Sequence, residues 1–94
     1  MYISAYEFAG DPTDLRARYV ALMDGFRDDI LVHVAVATPT GILAWDACPD
    51  LATAKAFWAS EEWTSALAGS GLPTPTITPL GDALVAIANA SVAA

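Results

Sequence analysis

The sequence predicts an α+β protein of order β-α-β-β-α-β, a four-stranded antiparallel sheet with both helices on one face. Three observations predict it. Leu15, Tyr19, Leu22 and Phe26 recur at i, i+4, i+7 and i+11, the apolar stripe of a helix. Residues 30–37 (ILVHVAVA) and 42–47 (ILAWDA) flank Thr38-Pro39-Thr40-Gly41, so two β-rich runs meet at a turn signal. Residues 73–80 (PTPTITPL) follow a second helical stretch, and their three prolines restrict them to an edge strand or extended arm.

Each element has a local cause. Residues 1–9 (MYISAYEFA) contain no breaker and read as a strand, with Tyr2, Ser4, Tyr6 and Phe8 on one face. Gly10-Asp11-Pro12 ends it. Asp11 suits an N-cap and Pro12 the first helical position, with Asp14 favoured by the helix dipole. Gly25 lies where that helix should stop. Cys48-Pro49-Asp50 breaks the hairpin, and Asp50 can cap an Ala-rich helix over 51–68. Within it, Ser60 before Glu61-Glu62 reads as a fresh N-terminus, so this helix is expected in two segments with a bend. Gly69-Ser70-Gly71 ends it. Residues 83–88 (ALVAIA) are apolar and fit an extension of the last strand, a further strand, or an arm swapped onto a partner; the tail from about 89 to 94 is expected to fray. Right-handed crossovers turn this order into the split βαβ, or ferredoxin-like, sandwich.

Composition excludes several functions. The 94 residues form one expected domain, 1–94. Four basic residues against eleven acidic ones give a net charge of −7, which argues against nucleic acid and anionic membranes. No apolar run reaches the ~18 residues of a membrane span. The start, Met1-Tyr2-Ile3-Ser4, lacks the basic region of a secretion signal, and the single Cys48 allows no internal disulfide; a cytoplasmic address is expected. One His and one Cys cannot close a zinc site, so no metal is expected. Apolar residues nevertheless make up 55% of the chain, above the ~45–50% of soluble domains. That excess points to an oligomer interface or a pocket.

Hairpin register locates the candidate chemistry. A two- or four-residue loop pairs Ala37 with Ile42, Ala35 with Ala44 and His33 with Asp46. One face then carries Leu31, His33, Ala35, Ala37, Ala44, Asp46 and Cys48; the other carries Ile30, Val32, Val34, Val36, Leu43 and Trp45. The bulky face is assigned to a homodimer barrel, because nothing else in the chain remains to cover it. The small face lies under the helices, with Tyr19, Phe26, Phe57, Trp58 and Trp63 above. A small floor, an aromatic roof and a polar pair describe a pocket for a small apolar organic ligand, with Ser4, Tyr19, Ala35, Ala44, Phe57, Trp58 and Trp63 as its expected wall. Asp46 would orient His33 as a general base, and Tyr6, Tyr2 or Ser4 would donate to a developing oxyanion. Cys48 reads as a buried thiol rather than a nucleophile. The bland alternative is a buried hydrogen bond that only pins the register.

The run from Ile30 to Pro79 resembles the dimeric α/β-barrel superfamily that includes the antibiotic-biosynthesis monooxygenases. The likeness rests on Val32-His33-Val34 early in the hairpin, then Gly41 and Trp45-Asp46. Phe57-Trp58-Ala59-Ser60-Glu61-Glu62-Trp63, Gly71-Leu72-Pro73 and the proline-punctuated last strand complete it. Small actinobacterial members show much the same run. The resemblance implies a dimeric barrel and a superfamily of monooxygenases, cyclases, isomerases and haem-degrading enzymes. Haem degraders place an Asn on the first strand and a His on the second helix. This chain has Ser4 and Tyr6 on the one and no His on the other, so haem is not expected. Plant-type polyketide cyclases place a His near the last strand, where this chain has Gly81-Asp82. The expected function is a cofactor-independent monooxygenase or cyclase acting on an apolar, aromatic or polyketide-like molecule. The alternatives are a non-catalytic ligand-binding dimer and a purely structural one.

Overall fold

A computed structural model describes residues 1–87. It shows β1 (Tyr2–Ala9), α1 (Pro12–Asp24), a 3-10 turn (Arg27–Asp29), β2 (Val32–Thr38), β3 (Gly41–Cys48), α2 (Leu51–Ala59), α3 (Glu61–Gly69) and β4 (Thr76–Asp82). The strands form one antiparallel sheet in the order β2-β3-β1-β4. This is the α+β, ferredoxin-like arrangement.

The caps explain the helix bounds. Asp11 accepts from the Thr13 amide at 2.9 Å, with Pro12 at the first helical position, and Gly25 closes α1. Asp50 accepts from the Thr53 amide at 2.7 Å. That amide holds the exposed Asp50 carboxyl below its ordinary range. Ser60 ends α2 and starts α3: its hydroxyl donates to the Phe57 carbonyl at 2.7 Å and accepts from the Trp63 amide at 3.2 Å. The expected bend is therefore a change of helix at one shared cap.

Close approach explains the hairpin end of the sheet. Thr38 pairs with Gly41 across Pro39-Thr40. Gly41 has φ +158°, and a Cβ there would sit 1.9 Å from the Phe8 carbonyl oxygen of the neighbouring strand. Only glycine fits where β1 and β3 meet so closely.

The core lies between the sheet and the helices. Tyr6 and Phe8 from β1 and Ile42 and Ala44 from β3 meet Leu15, Tyr19 and Leu22 of α1, Phe26, and Trp63 of α3. Phe26, Phe57 and Trp63 pack with ring centroids 5.2–5.6 Å apart. The other face of the sheet is open: Val32, Val34, Val36 and Trp45 are exposed.

Four expectations need correction. Ile30 and Leu31 precede β2 and escape its alternation, so Ile30 packs against the core while Leu31 is exposed. Ala35 and Ala37 are exposed, because β2 is an edge strand that the helices do not cover. The last strand begins at Thr76 rather than at 73 and runs to Asp82. Residues Ala83–Ile87 form no strand, and the expected fray over 89–94 lies outside the described residues.

Candidate functional site

The hairpin register is the predicted one, with His33 opposite Asp46. Asp46 also pairs across β1 with Ser4. Three adjoining strands thus line up His33, Asp46 and Ser4 on the helix-facing side, with Tyr6 one step along. All four sit at even spacing on their strands, so the pleat turns them toward α1 and α2.

Asp46 is the hub. Its Oδ1 lies 3.4 Å from His33 Nδ1. Its Oδ2 accepts from the Tyr6 hydroxyl at 3.5 Å and faces the Cys48 thiol at 3.9 Å. Trp58 Nε1 donates to the Tyr6 oxygen at 2.6 Å. On the other side of the imidazole, Tyr19 Oη is hydrogen-bonded to His33 Nε2, and the two rings stack at 5.9 Å. The donor count assigns the protons. With Asp46 a carboxylate, His33 Nδ1–H donates to it and Nε2 accepts from Tyr19. A run from Trp58 through Tyr6, Asp46 and His33 to Tyr19 results.

Burial keeps the donors in place. Desolvation pushes both phenols well above their ordinary 10.0, with the Asp46 charge adding to the effect, so Tyr6 and Tyr19 remain protonated at neutral pH. Burial, with Asp46 nearby, also pushes the Cys48 thiol up. A half-buried thiol kept in its neutral form is a poor nucleophile.

Beside this run is a cavity of about 20 Å³, room for a water-sized group. Tyr6, Tyr19, His33, Asp46, Phe57 and Trp63 line it with Phe8, Met23, Phe26 and Ile30. Of the expected wall, Tyr19, Phe57 and Trp63 are present; Ser4, Ala35, Ala44 and Trp58 are not. Ala44 is fully covered by the core, Ala35 lies on the helix-facing side but beyond the reach of the helices at the sheet edge, and Trp58 is spent on Tyr6. The Ser4 hydroxyl is buried without a protein partner. Phe8, Met23 and Ile30 were not expected. Phe8 was legible in the alternation of β1, whereas Met23 and Ile30 arrive through the end of α1 and the turn after it. The roomy alanine-floored pocket is thus replaced by a tight one, because aromatic rings fill the space the small residues leave. Among the described residues no group of three His, Cys, Asp or Glu side chains could hold a metal ion.

No protein-family model and no curated protein matches the chain. Among solved structures, a Deinococcus radiodurans protein provisionally named an antibiotic biosynthesis monooxygenase superposes with a TM-score of 0.67. The alignment covers 97% of this chain and 100% of that one at 20% identity. The two chains share a fold. No described helix is long and apolar enough to cross a membrane.

Proposed function

We propose that the protein is a small enzyme of the monooxygenase or cyclase type that works as a homodimer, without metal or organic cofactor, on a compact aromatic or otherwise apolar molecule. His33 is its general base, oriented by Asp46. The observation that carries this reading is the hydrogen-bonded run Asp46–His33–Tyr19 at the wall of a cavity otherwise lined by rings. Asp46 holds one tautomer, so Nε2 is left as the acceptor, bonded to Tyr19. A ligand reaches that nitrogen only when Tyr19 swings off it, which also enlarges the cavity. Proton abstraction from an acidic C–H or a phenol then starts either an aldol-type closure or oxygenation by dissolved O2, in which the substrate anion supplies the electrons, one oxygen atom enters the product and the other leaves as water. Tyr6 stays a proton donor, but its hydroxyl already donates to Asp46, so it orients the carboxylate in this state. The fold shared with the Deinococcus radiodurans protein supports the reaction class. The exposed apolar sheet face supports the dimer.

Phenols and carbonyl compounds with acidic C–H bonds, incubated in air and read by mass spectrometry, test the proposal. His33→Ala should abolish turnover and leave the fold and dimer intact. Full turnover in that variant overturns the mechanism.

A second reading has its own observation. Both imidazole nitrogens are already engaged and the cavity holds little more than a water, as suits a network that only ties β2 and α1 to β3. The chain has a single His, so one imidazole signal in NMR decides between them. A ligand that shifts it favours the first reading, and one that binds without product leaves a carrier.

A further inference from the structure

We propose that the small cavity beside His33 seats molecular oxygen, and that the organic molecule binds outside it. The inference rests on the enzyme reading above and adds where the second reactant waits.

Size comes first. With Tyr19 in place the cavity measures about 20 Å³. A single water needs roughly 10–15 Å³ of such space. The guest therefore has one or two heavy atoms, and a phenol is too large.

The lining chooses among guests of that size. The Tyr6 hydroxyl donates to Asp46, and its oxygen takes the Trp58 N–H. His33 spends one ring nitrogen on Asp46 and the other on Tyr19. These groups are turned on one another, so most of the wall that faces the space is carbon, from Phe8, Phe26, Phe57, Trp63, Met23 and Ile30. A water inside would exchange its bonds in bulk solvent for that wall. An apolar diatomic gas gives up no hydrogen bonds and gains dispersion contacts with rings and the Met23 thioether.

The seat survives the opening that the organic molecule needs. Phe26, Phe57 and Trp63 pack on one another in a closed triangle, whereas the ring partners of Tyr19 are Phe8 and His33. Tyr19 can thus leave His33 without dismantling that part of the wall. His33 and Asp46 belong to the same wall, so an anion made at the imidazole forms beside the gas. On a methylene substrate the carbon then bonds one oxygen atom and the O–O bond breaks. The second oxygen leaves as water with the two hydrogens the carbon gives up, and the carbon ends as a carbonyl.

Nuclear magnetic resonance of the full chain under raised oxygen pressure tests the seat, because O2 is paramagnetic and speeds the relaxation of nuclei it touches. Phe26, Trp63, Leu15 and Ile42 are all buried, but only the first two line the cavity. Relaxation of the Phe26 and Trp63 rings should rise well above that of Leu15 and Ile42, and xenon should shift the same two rings saturably. Enhancement shared equally by all four, or a bound water at Phe26 that oxygen and xenon leave in place, overturns the seat. Ile30 is only partly buried, in the turn before β2, so Ile30→Phe fills the cavity from its margin. With circular dichroism unchanged, that variant should lose the enhancement and raise the KM for O2 about tenfold, with the KM for the organic substrate little altered. The two readings fail separately. Oxygen-consuming turnover without enhancement overturns the seat and leaves the enzyme; enhancement without turnover overturns the enzyme and leaves a gas site.

Discussion

The two faces of the sheet are made from the same strands, yet they behave differently. Along β3, Ile42, Ala44 and Asp46 are buried, while Trp45 between them is exposed. The covered face holds every polar group of the Asp46 network; the open face offers valines and a tryptophan. The difference teaches that hydrophobicity did not decide which face becomes the core. Helices can cover only one side, and the side they cover is the one that carries the Asp46 network. The apolar remainder of the open face is left for a partner.

The sharpest way to break this comparison is to truncate an apolar side chain on each side. Phe8 is 2% exposed on the covered face, and Phe8→Ala should cost about 3–5 kcal/mol in denaturant unfolding. Val34 is 53% exposed, and Val34→Ala should change the unfolding of a dilute protomer by about 0.5 kcal/mol or less while weakening association. Similar losses would mean that the faces are equivalent. Next comes the hub. Asp46→Ala strands the His33 and Tyr6 donors and should cost about 1–3 kcal/mol, with the imidazole losing its single tautomer in NMR.

Alkali probes the same face. The phenols of Tyr6 and Tyr19 have folded-state values raised above the unfolded 10.0. Their contribution is complete below about pH 10 and is lost as pH climbs above it, by up to ~1.4 kcal/mol per pH unit for each phenol. Replacing both, Tyr6→Phe with Tyr19→Phe, should flatten that alkaline loss in unfolding titrations; an unchanged slope would mean that neither phenol is shifted. A smaller effect belongs to the shared cap. Ser60→Ala removes the acceptor for the Trp63 amide and should cost about 1 kcal/mol, with helix signal lost first in α3. The smallest is Ser4→Ala, which removes a buried hydroxyl with no protein partner and should be neutral or stabilising within about 0.5 kcal/mol. A loss near 2 kcal/mol would show that the hydroxyl is satisfied by a group such as a bound water.

Much of this was legible before any coordinates. Asp11, Asp50 and Ser60 announce helix starts because a side-chain acceptor next to unpaired amides is a local matter. The His33–Asp46 opposition followed from a two-residue loop and the period-two pleat, both short-range rules. The pocket wall was read less well. Ala35 and Ala44 were expected to line a roomy floor, but one lies at an uncovered edge and the other beneath packed rings. Met23 and Ile30 enter the wall from irregular backbone between α1 and β2, where no periodicity applies. The bond from Tyr19 to His33 joins a helix to an edge strand, and nothing in the spacing of 19 and 33 signals it.

The sequence alone determined the order of elements, their caps, the hairpin register and which residues share a strand face. Each depends on interactions within a few residues or across one turn. Only the tertiary structure decided how far the helices reach over β2 and how much space remains beside His33. Those depend on how side-chain volumes from distant segments fill a common interior, and volume is matched only when the whole chain is packed.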